Sequence, residues 1–135
     1  MYSNILVPIA LDNEEDRSAQ AMDIAKALSA EGATITLLHV VEAVPSYAIS
    51  YISSDILDAT REGIEVEMAR LAAPIGANSV VIEGHSGRSI LDYAEEQGND
   101  LIVIASHRPG MQTLLLGSTA THVVRHAQCS VHVVR

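Results

Sequence analysis

The hydrophobic positions of this chain fall into five short runs, separated by longer stretches in which apolar residues recur every three or four positions. Short runs rich in valine and isoleucine are typical of buried strands, and the longer spacing is typical of amphipathic helices. The pattern predicts strands over residues 4–9, 33–41, 79–82, 101–105 and 130–134. It predicts helices over residues 13–30, about 54–73, 86–97 and 118–127.

The alternation of strand and helix along the chain indicates an α/β fold. Successive parallel strands need crossover helices, so we expect one doubly wound domain over residues 1–135, with its ligand crevice beyond the carboxyl ends of the strands. The predicted helix boundaries carry suitable residues. Asp12 and Glu15 resemble a capping box, and Gly32 and Gly98 stand where helices are expected to stop.

One connection is unusually long for a compact domain. Residues 42–53 show no clear hydrophobic period and contain Pro45, Tyr47 and Tyr51. Because long irregular connections are often functional, this segment is the candidate for a lid or for a contact with a partner.

The charge of the chain excludes two classes of partner. The formal net charge is −9 at pH 7, and Lys26 is the only lysine among 8 basic residues, so the attraction that brings proteins to nucleic acid or to anionic membrane is missing. No basic segment followed by a long apolar stretch opens the chain, and Cys129 is its only cysteine. We therefore expect a cytoplasmic protein with neither a signal peptide nor an internal disulfide.

The loop over residues 104–119 carries the clearest sign of chemistry. It is polar, contains glycine and joins an apolar strand to a helix start, which is where α/β proteins bind phosphates. Gly117 would allow close approach of the backbone, and Ser118 and Thr119 offer hydroxyls beside the N–H groups of the helix start. The alternative is that Ser118 only caps the helix. The loop predicts a nucleotide ligand.

Four segments of the chain are similar to one protein family. They are Ile5-Leu6-Val7-Pro8-Ile9, Leu38-His39-Val40, Leu114-Leu115-Leu116-Gly117-Ser118 and Val124-Arg125-His126-Ala127-Gln128-Cys129-Ser130-Val131. Together they resemble the universal stress proteins from the first strand to the end of the chain. The resemblance implies a five-stranded parallel sheet in the order 3-2-1-4-5 with two helices on each face. It also implies a homodimer paired through the last strand and an adenine nucleotide, ATP, ADP or AMP, bound with or without Mg²⁺.

The same resemblance places the nucleotide between the first and fourth strands. Adenine would lie near Ala10 and Val40, with the phosphates over residues 106–108 and the helix start at Gly117. The site residues that it implies are Pro8, Ile9, Ala10, Asp12, Val40, Ala105, Ser106, His107, Arg108, Gly117, Ser118 and Thr119.

The chain departs from the usual pattern of the family at three of these positions. Ala10 replaces an acidic residue, for which Asp12 would substitute, and Ala105 and Arg108 occupy two glycine positions, as in a variant subgroup that carries Ser-His-Arg-Pro. The guanidinium of Arg108 would bind phosphate by charge-assisted hydrogen bonds. The lysine of P-loop enzymes is missing, so we expect binding and at most slow ATP hydrolysis or autophosphorylation.

Two functions remain open at this point. The first is a regulatory protein of the stress response whose nucleotide occupancy alters its dimer surface or its binding of an unidentified protein partner. The second is a nucleotide-free dimeric interaction module that kept the fold and lost the site. Neither function requires a catalytic residue or a metal, and none is predicted.

Two further patterns have simpler explanations than a site. Residues 84–87 resemble a phosphate loop, but the family strand order puts the preceding strand at the sheet edge, where a tight turn and an N-cap at Ser86 suffice. His122, His126 and Cys129 have a spacing that could hold zinc. A buried cysteine and a histidine in the last turn of a helix explain that spacing better.

Overall fold

A computed structural model describes residues 1–11, 15–106 and 116–135. The elements are the strands β1 (Tyr2–Pro8), β2 (Ser29–Val41), β3 (Asn78–Glu83), β4 (Leu101–Ala105) and β5 (Ser130–Val134), and the helices α1 (Glu15–Leu28), α2 (Ser46–Ile49), α3 (Ser54–Ala72), α4 (Ser86–Gln97) and α5 (Ser118–His126). A short 3₁₀ turn, Ala73–Ile75, follows α3. The element types agree with the sequence prediction, and α2 is an addition to it.

The five strands form one parallel sheet in the order β3-β2-β1-β4-β5, which confirms the predicted topology. β1 lies at the centre because its residues are apolar on both faces, as buried parallel strands require. Ile5, Leu6 and Val7 are fully buried. β3 and β5 are the two edges, and the order of the strands reverses at β1.

Two helices cover each face of the sheet, as predicted. On one face, Ala25 of α1 and Met68 of α3 pack into the cluster around Ile5 and Val7. On the other face, Ile90 of α4 and Val123 of α5 pack into the cluster around Leu6. Each central strand therefore contributes side chains to two separate apolar cores.

The boundary between the first helix and the second strand differs from the prediction. α1 ends at Leu28, and Gly32, predicted to stop a helix, lies inside β2 with φ +76°. Tyr2 pairs with Ser29 and Asn4 with Thr34, so an advance of two residues along β1 corresponds to an advance of five residues along β2. A glycine at positive φ permits such a bulge, and strand pairing here prevailed over the helical pattern. Gly98, with φ 66°, does cap α4 as predicted.

A hydrogen-bond network joins β1 and β4 at their amino ends. The Asp100 carboxylate accepts from the backbone N–H groups of Ser3 (2.9 Å) and Asn4 (3.0 Å), and Asn99 Nδ2 donates to Asn4 Oδ1 (2.8 Å). Partial desolvation, the largest single influence, raises the pKa of Asp100, but the hydrogen bonds from Ser3 and Asn4 outweigh it and lower the pKa from its usual 3.8. The network fixes the two strands at the edge opposite the predicted crevice.

Candidate functional site

The pairing of β1 with β4 stops before either strand ends. Within the described residues their pairing consists of Ile5 with Leu101 and Leu6 with Ile102, although the strands continue to Pro8 and Ala105. The ends of two adjacent strands that stop pairing where strand order reverses form the usual ligand crevice of an α/β sheet. The crevice thus lies where the sequence predicts it.

One wall of the crevice is the junction of β1 and β2. The backbone N–H of Ile9 donates to the carbonyl oxygen of Leu38 (2.8 Å). The carbonyl oxygen of Ile9 lies 2.7 Å from His39 Nδ1. A carbonyl can only accept, so Nδ1 carries the proton. Both backbone groups of Ile9 are therefore occupied, and its side chain is buried in the core.

The backbone N–H and C=O groups of Val40 also belong to this wall. Neighbouring residues along a strand direct their N–H and C=O groups to opposite sides. The carbonyl of Leu38 faces β1, and that of Val41 faces β3, where it accepts from Gly84 N–H (2.9 Å). The N–H and C=O groups of Val40 therefore face β1, but the carbonyl of Ile9 on that side already accepts from His39 Nδ1. Among the described residues nothing bonds to the N–H or C=O of Val40 on that side.

The opposite wall is the end of β4, which is tied to the start of α5. The backbone N–H of Ser106 donates to the carbonyl of Val134 on β5 (2.8 Å), and the carbonyl of Ser106 accepts from the N–H of Gly117. Ser106 is fully buried. It holds the start of α5 against the sheet, and its predicted contact with phosphate stays a prediction.

The start of α5 has no side-chain cap. Gly117 is the N-cap residue, with φ −64° and ψ 161°, and among the described residues no side-chain cap bonds to the first turn. Ser118 is the first helical residue and is exposed, so the alternative in which Ser118 serves as the cap is wrong. The first N–H groups of a helix without such a cap are available to an anion. Thr119 is half-buried next to them.

The remaining predicted residues divide into two groups. Pro8 and Ala105 are half-buried and Ala10 is exposed, at the ends of β1 and β4 that border the crevice. The others, Asp12, His107 and Arg108, lie outside the described residues. The structure thus places Pro8, Ala10 and Ala105 at the carboxyl edge of the sheet, and their contact with a nucleotide stays a prediction.

The second phosphate-like loop, residues 84–87, is filled by a side chain of the protein itself. Ser86 is not the N-cap as predicted, because His85 has that position and Ser86 begins α4. The Ser86 hydroxyl donates to Glu42 Oε1 (2.6 Å), as does the Ser86 N–H (3.4 Å). The carboxylate takes the place at the helix start that an anion would occupy. Sequence reasoning missed Glu42 because it lies 44 residues from Ser86.

Three histidine rings, two on α5 and one at the start of α4, lie close together at tilted or edge-on angles. The ring centroids of His122 and His126 are 4.7 Å apart, and that of His85 is 6.3 Å from His122. In the part of the chain that the structure describes, no three His, Cys, Asp or Glu side chains are placed to hold a metal ion. Likewise, no described helix has the length and apolarity needed to cross a membrane.

A small cleft lies at the amino edge of the sheet, away from the crevice. Its volume is about 210 Å³, below the roughly 300–1,000 Å³ of typical ligand pockets. Residues at the ends of α4 and α5 line it, among them Leu91, Ala94, Asn99, His126 and Cys129. It is therefore a poorer candidate for a nucleotide than the carboxyl edge.

The sequence of the chain matches the profile described as the universal stress protein family over residues 1–135. The chain belongs to this family. It is 38% identical to universal stress protein A homolog 2 of Coxiella burnetii over 99% of this chain and 95% of the relative. It is 30% identical to universal stress protein G of Escherichia coli O157:H7 over the full length of both. Among solved structures, universal stress protein UspA of Lactobacillus plantarum has a TM-score of 0.75 at 28% identity, covering 99% of this chain and 98% of that one.

Two family members of the same fold have been solved with nucleotides. A universal stress protein in complex with cAMP has a TM-score of 0.68 at 20% identity and covers 99% of this chain and 97% of its own. The universal stress protein of Archaeoglobus fulgidus in complex with dAMP has a TM-score of 0.63 at 16% identity and covers 99% and 98%. At these identities the likeness shows the fold.

Proposed function

We propose that this universal stress protein binds an adenine nucleotide, ATP, ADP or AMP, in the crevice between β1 and β4. The observation that carries the proposal is a pair of backbone sites on the two walls of the crevice that have no partner among the described residues. One is the N–H and C=O of Val40, and the other is the uncapped start of α5 behind Gly117. Adenine carries an exocyclic amino donor and ring-nitrogen acceptors, which suit the first, and a phosphate suits the second. That family members bind cAMP and dAMP supports the same ligand class.

The bound nucleotide would regulate rather than react. The described residues of the crevice offer backbone donors and hydroxyls but no base to activate water, so slow ATP hydrolysis or autophosphorylation is the most that we propose. Mg²⁺ would accompany ATP through the phosphates, not through a dedicated protein site. We further propose that the protein acts in the cytoplasm, in the stress response, through a protein partner.

We also propose a homodimer paired through β5. This strand is an open edge of the sheet, and its apolar Val131 and Val133 are only half-buried in the protomer. An open, apolar edge tends to pair with another strand. The hydrogen bond from Ser106 N–H to the carbonyl of Val134 links β5 to the crevice. Binding of a nucleotide in the crevice would therefore affect the dimer surface.

The alternative is a nucleotide-free interaction module. Two observations favour it. Ala10, Ala105 and Arg108 depart from the nucleotide-binding pattern, and Tyr47 and Tyr51 on the connection after β2 are 78% and 88% exposed. Large exposed aromatic side chains often mark protein contacts.

Calorimetric titration with ATP and AMP decides between the two. We expect the wild type to bind, and Gly117→Val to lose binding because its side chain would obstruct the approach of phosphate. The backbone angles of Gly117 are open to any residue, so Gly117→Ala serves as the matched control for folding and should bind more weakly but measurably. Removal of the Arg108 charge in Arg108→Ala should weaken affinity about tenfold to a hundredfold. No binding by the wild type at millimolar nucleotide, with or without Mg²⁺, would favour the interaction module.

A further inference from the structure

We infer that His39 is a positioning residue for the nucleotide site, an inference that rests on the proposed function. The groups proposed to bind the base are the N–H and C=O of Val40, and His39 itself makes no proposed contact with the nucleotide. Its contribution is to end the hydrogen-bond ladder between β1 and β2 one step early.

The geometry of the ladder carries this inference. The last regular bond is the one from Ile9 N–H to the carbonyl of Leu38. In a parallel ladder the next bond would run from Val40 N–H to the carbonyl of Ile9. Instead, the Nδ1–H of His39 donates to that carbonyl at 2.7 Å. The imidazole thus takes the acceptor that Val40 would otherwise use.

Two consequences follow for the crevice. The N–H of Val40 is kept out of the sheet and is left for a ligand. The carbonyl of Ile9 already accepts a hydrogen bond from His39, so it does not compete for the amino group of the base. At this wall the base therefore faces one donor and one acceptor, both on Val40. His39 also holds Ile9, and through it the chain that leads to Ala10, at a fixed distance from β2.

Substitutions at position 39 separate this role from general packing. His39→Leu removes the donor, His39→Asn keeps an N–H donor close to the position of Nδ1, and His39→Gln moves the donor to the position of Nε2. We expect the leucine and glutamine variants to bind AMP about tenfold more weakly, the worth of about one net hydrogen bond. The asparagine variant should stay within about threefold of the wild type. Urea unfolding of each variant shows whether the fold is kept.

Nuclear magnetic resonance of the free protein tests the same inference without nucleotide. In the wild type, Nδ1 of His39 should be the protonated ring nitrogen, and the Val40 amide should exchange quickly with solvent. In His39→Leu the Val40 amide should pair with Ile9 and exchange at least about tenfold more slowly.

The outcomes distinguish the two proposals. If the wild type binds AMP and His39→Leu binds it equally well, the role of His39 is refuted while the proposed function stands. If the wild type binds no nucleotide, the proposed function fails, and the claim that His39 positions a nucleotide site fails with it. The exchange of Val40 then reports only whether His39 ends the ladder. An unprotonated Nδ1, or a Val40 amide already protected in the wild type, overturns the inference even if every variant at position 39 fails to fold.

Discussion

A single methyl group added at Gly87 should destabilise the protein, and the same change at Gly63 should stabilise it. A Cβ at position 87 would lie 2.8 Å from His122 Cδ2 and 3.1 Å from both Cβ and Cγ of the same residue. Ordinary contacts between carbon atoms begin near 3.5 Å. The ring of His122 can turn away, but its Cβ is fixed to the backbone of α5. Helices α4 and α5 would therefore have to move apart.

The magnitude follows from two opposing effects. Overpacking of this kind costs about 1–3 kcal/mol. Replacing glycine by alanine within a helix gains about 0.5–1 kcal/mol, and less at Gly87, the second residue of α4. We expect a net loss of about 1–2 kcal/mol for Gly87→Ala from these terms. Gly63 lies in the middle of α3 with nothing within 4 Å of the added atom, so only the gain applies there.

Urea unfolding of the two variants beside the wild type measures both free energies. Addition of His122→Ala to Gly87→Ala should recover part of the loss, since it removes the ring and leaves only the Cβ contact. A Gly87→Ala protein as stable as the wild type, or one equal to Gly63→Ala, would refute the packing of α4 on α5 described above. Because α5 also provides one wall of the crevice, Gly87→Ala should weaken nucleotide binding as well.

Three further predictions concern other parts of the molecule. Because the pKa of Asp100 is lowered in the folded chain, its contribution to stability is present at neutral pH and is lost as the pH falls below about 4. In urea unfolding, Asp100→Asn should be less stable than the wild type at neutral pH and should lose less stability between about pH 5 and pH 3. A loss over this range equal to that of the wild type would contradict the prediction. Glu42→Ala removes the acceptor of Ser86 and the negative charge at the start of α4, so thermal unfolding should show a loss of about 0.5–1 kcal/mol in the free energy of unfolding. Glu42→Gln should lose less stability because it keeps an acceptor. Sedimentation should find a dimer at micromolar protein, because β5 is an open edge of the sheet; a monomer at neutral pH would contradict the proposed dimer.

The sequence predicted the fold well where hydrophobic period and strand length agreed. The bounds predicted for β4, β5 and α4 are those observed, because short valine-rich and isoleucine-rich runs and a clear glycine cap leave little choice. The prediction failed at residues 29 and 30, which the local pattern assigns to the first helix, and it left residues 31 and 32 unassigned. All four belong to β2, where Ser29 pairs with Tyr2 of β1. α2 escaped notice because four residues are too few to show a period.

The candidate site could be placed from the sequence but not completed. Parallel topology alone brings the ends of β1 and β4 to one edge, so the crevice followed from the strand order. The contacts of His39 with Ile9 and of Glu42 with Ser86 join residues 30 and 44 positions apart. No periodicity or spacing reports such pairs. His39 lies in one of the segments that resemble the family, but the sequence does not show which backbone oxygen its imidazole will bond.

The most direct test of the nucleotide site is a titration of isotopically labelled protein with AMP, monitored by the backbone amide resonances. We expect the largest shifts on Val40 at one wall and on Gly117, Ser118 and Thr119 at the other, with little change at the cleft near Asn99 and Cys129. Shifts confined to that amino-edge cleft, or no shifts at millimolar AMP, would contradict the claim that the crevice between β1 and β4 is a nucleotide site.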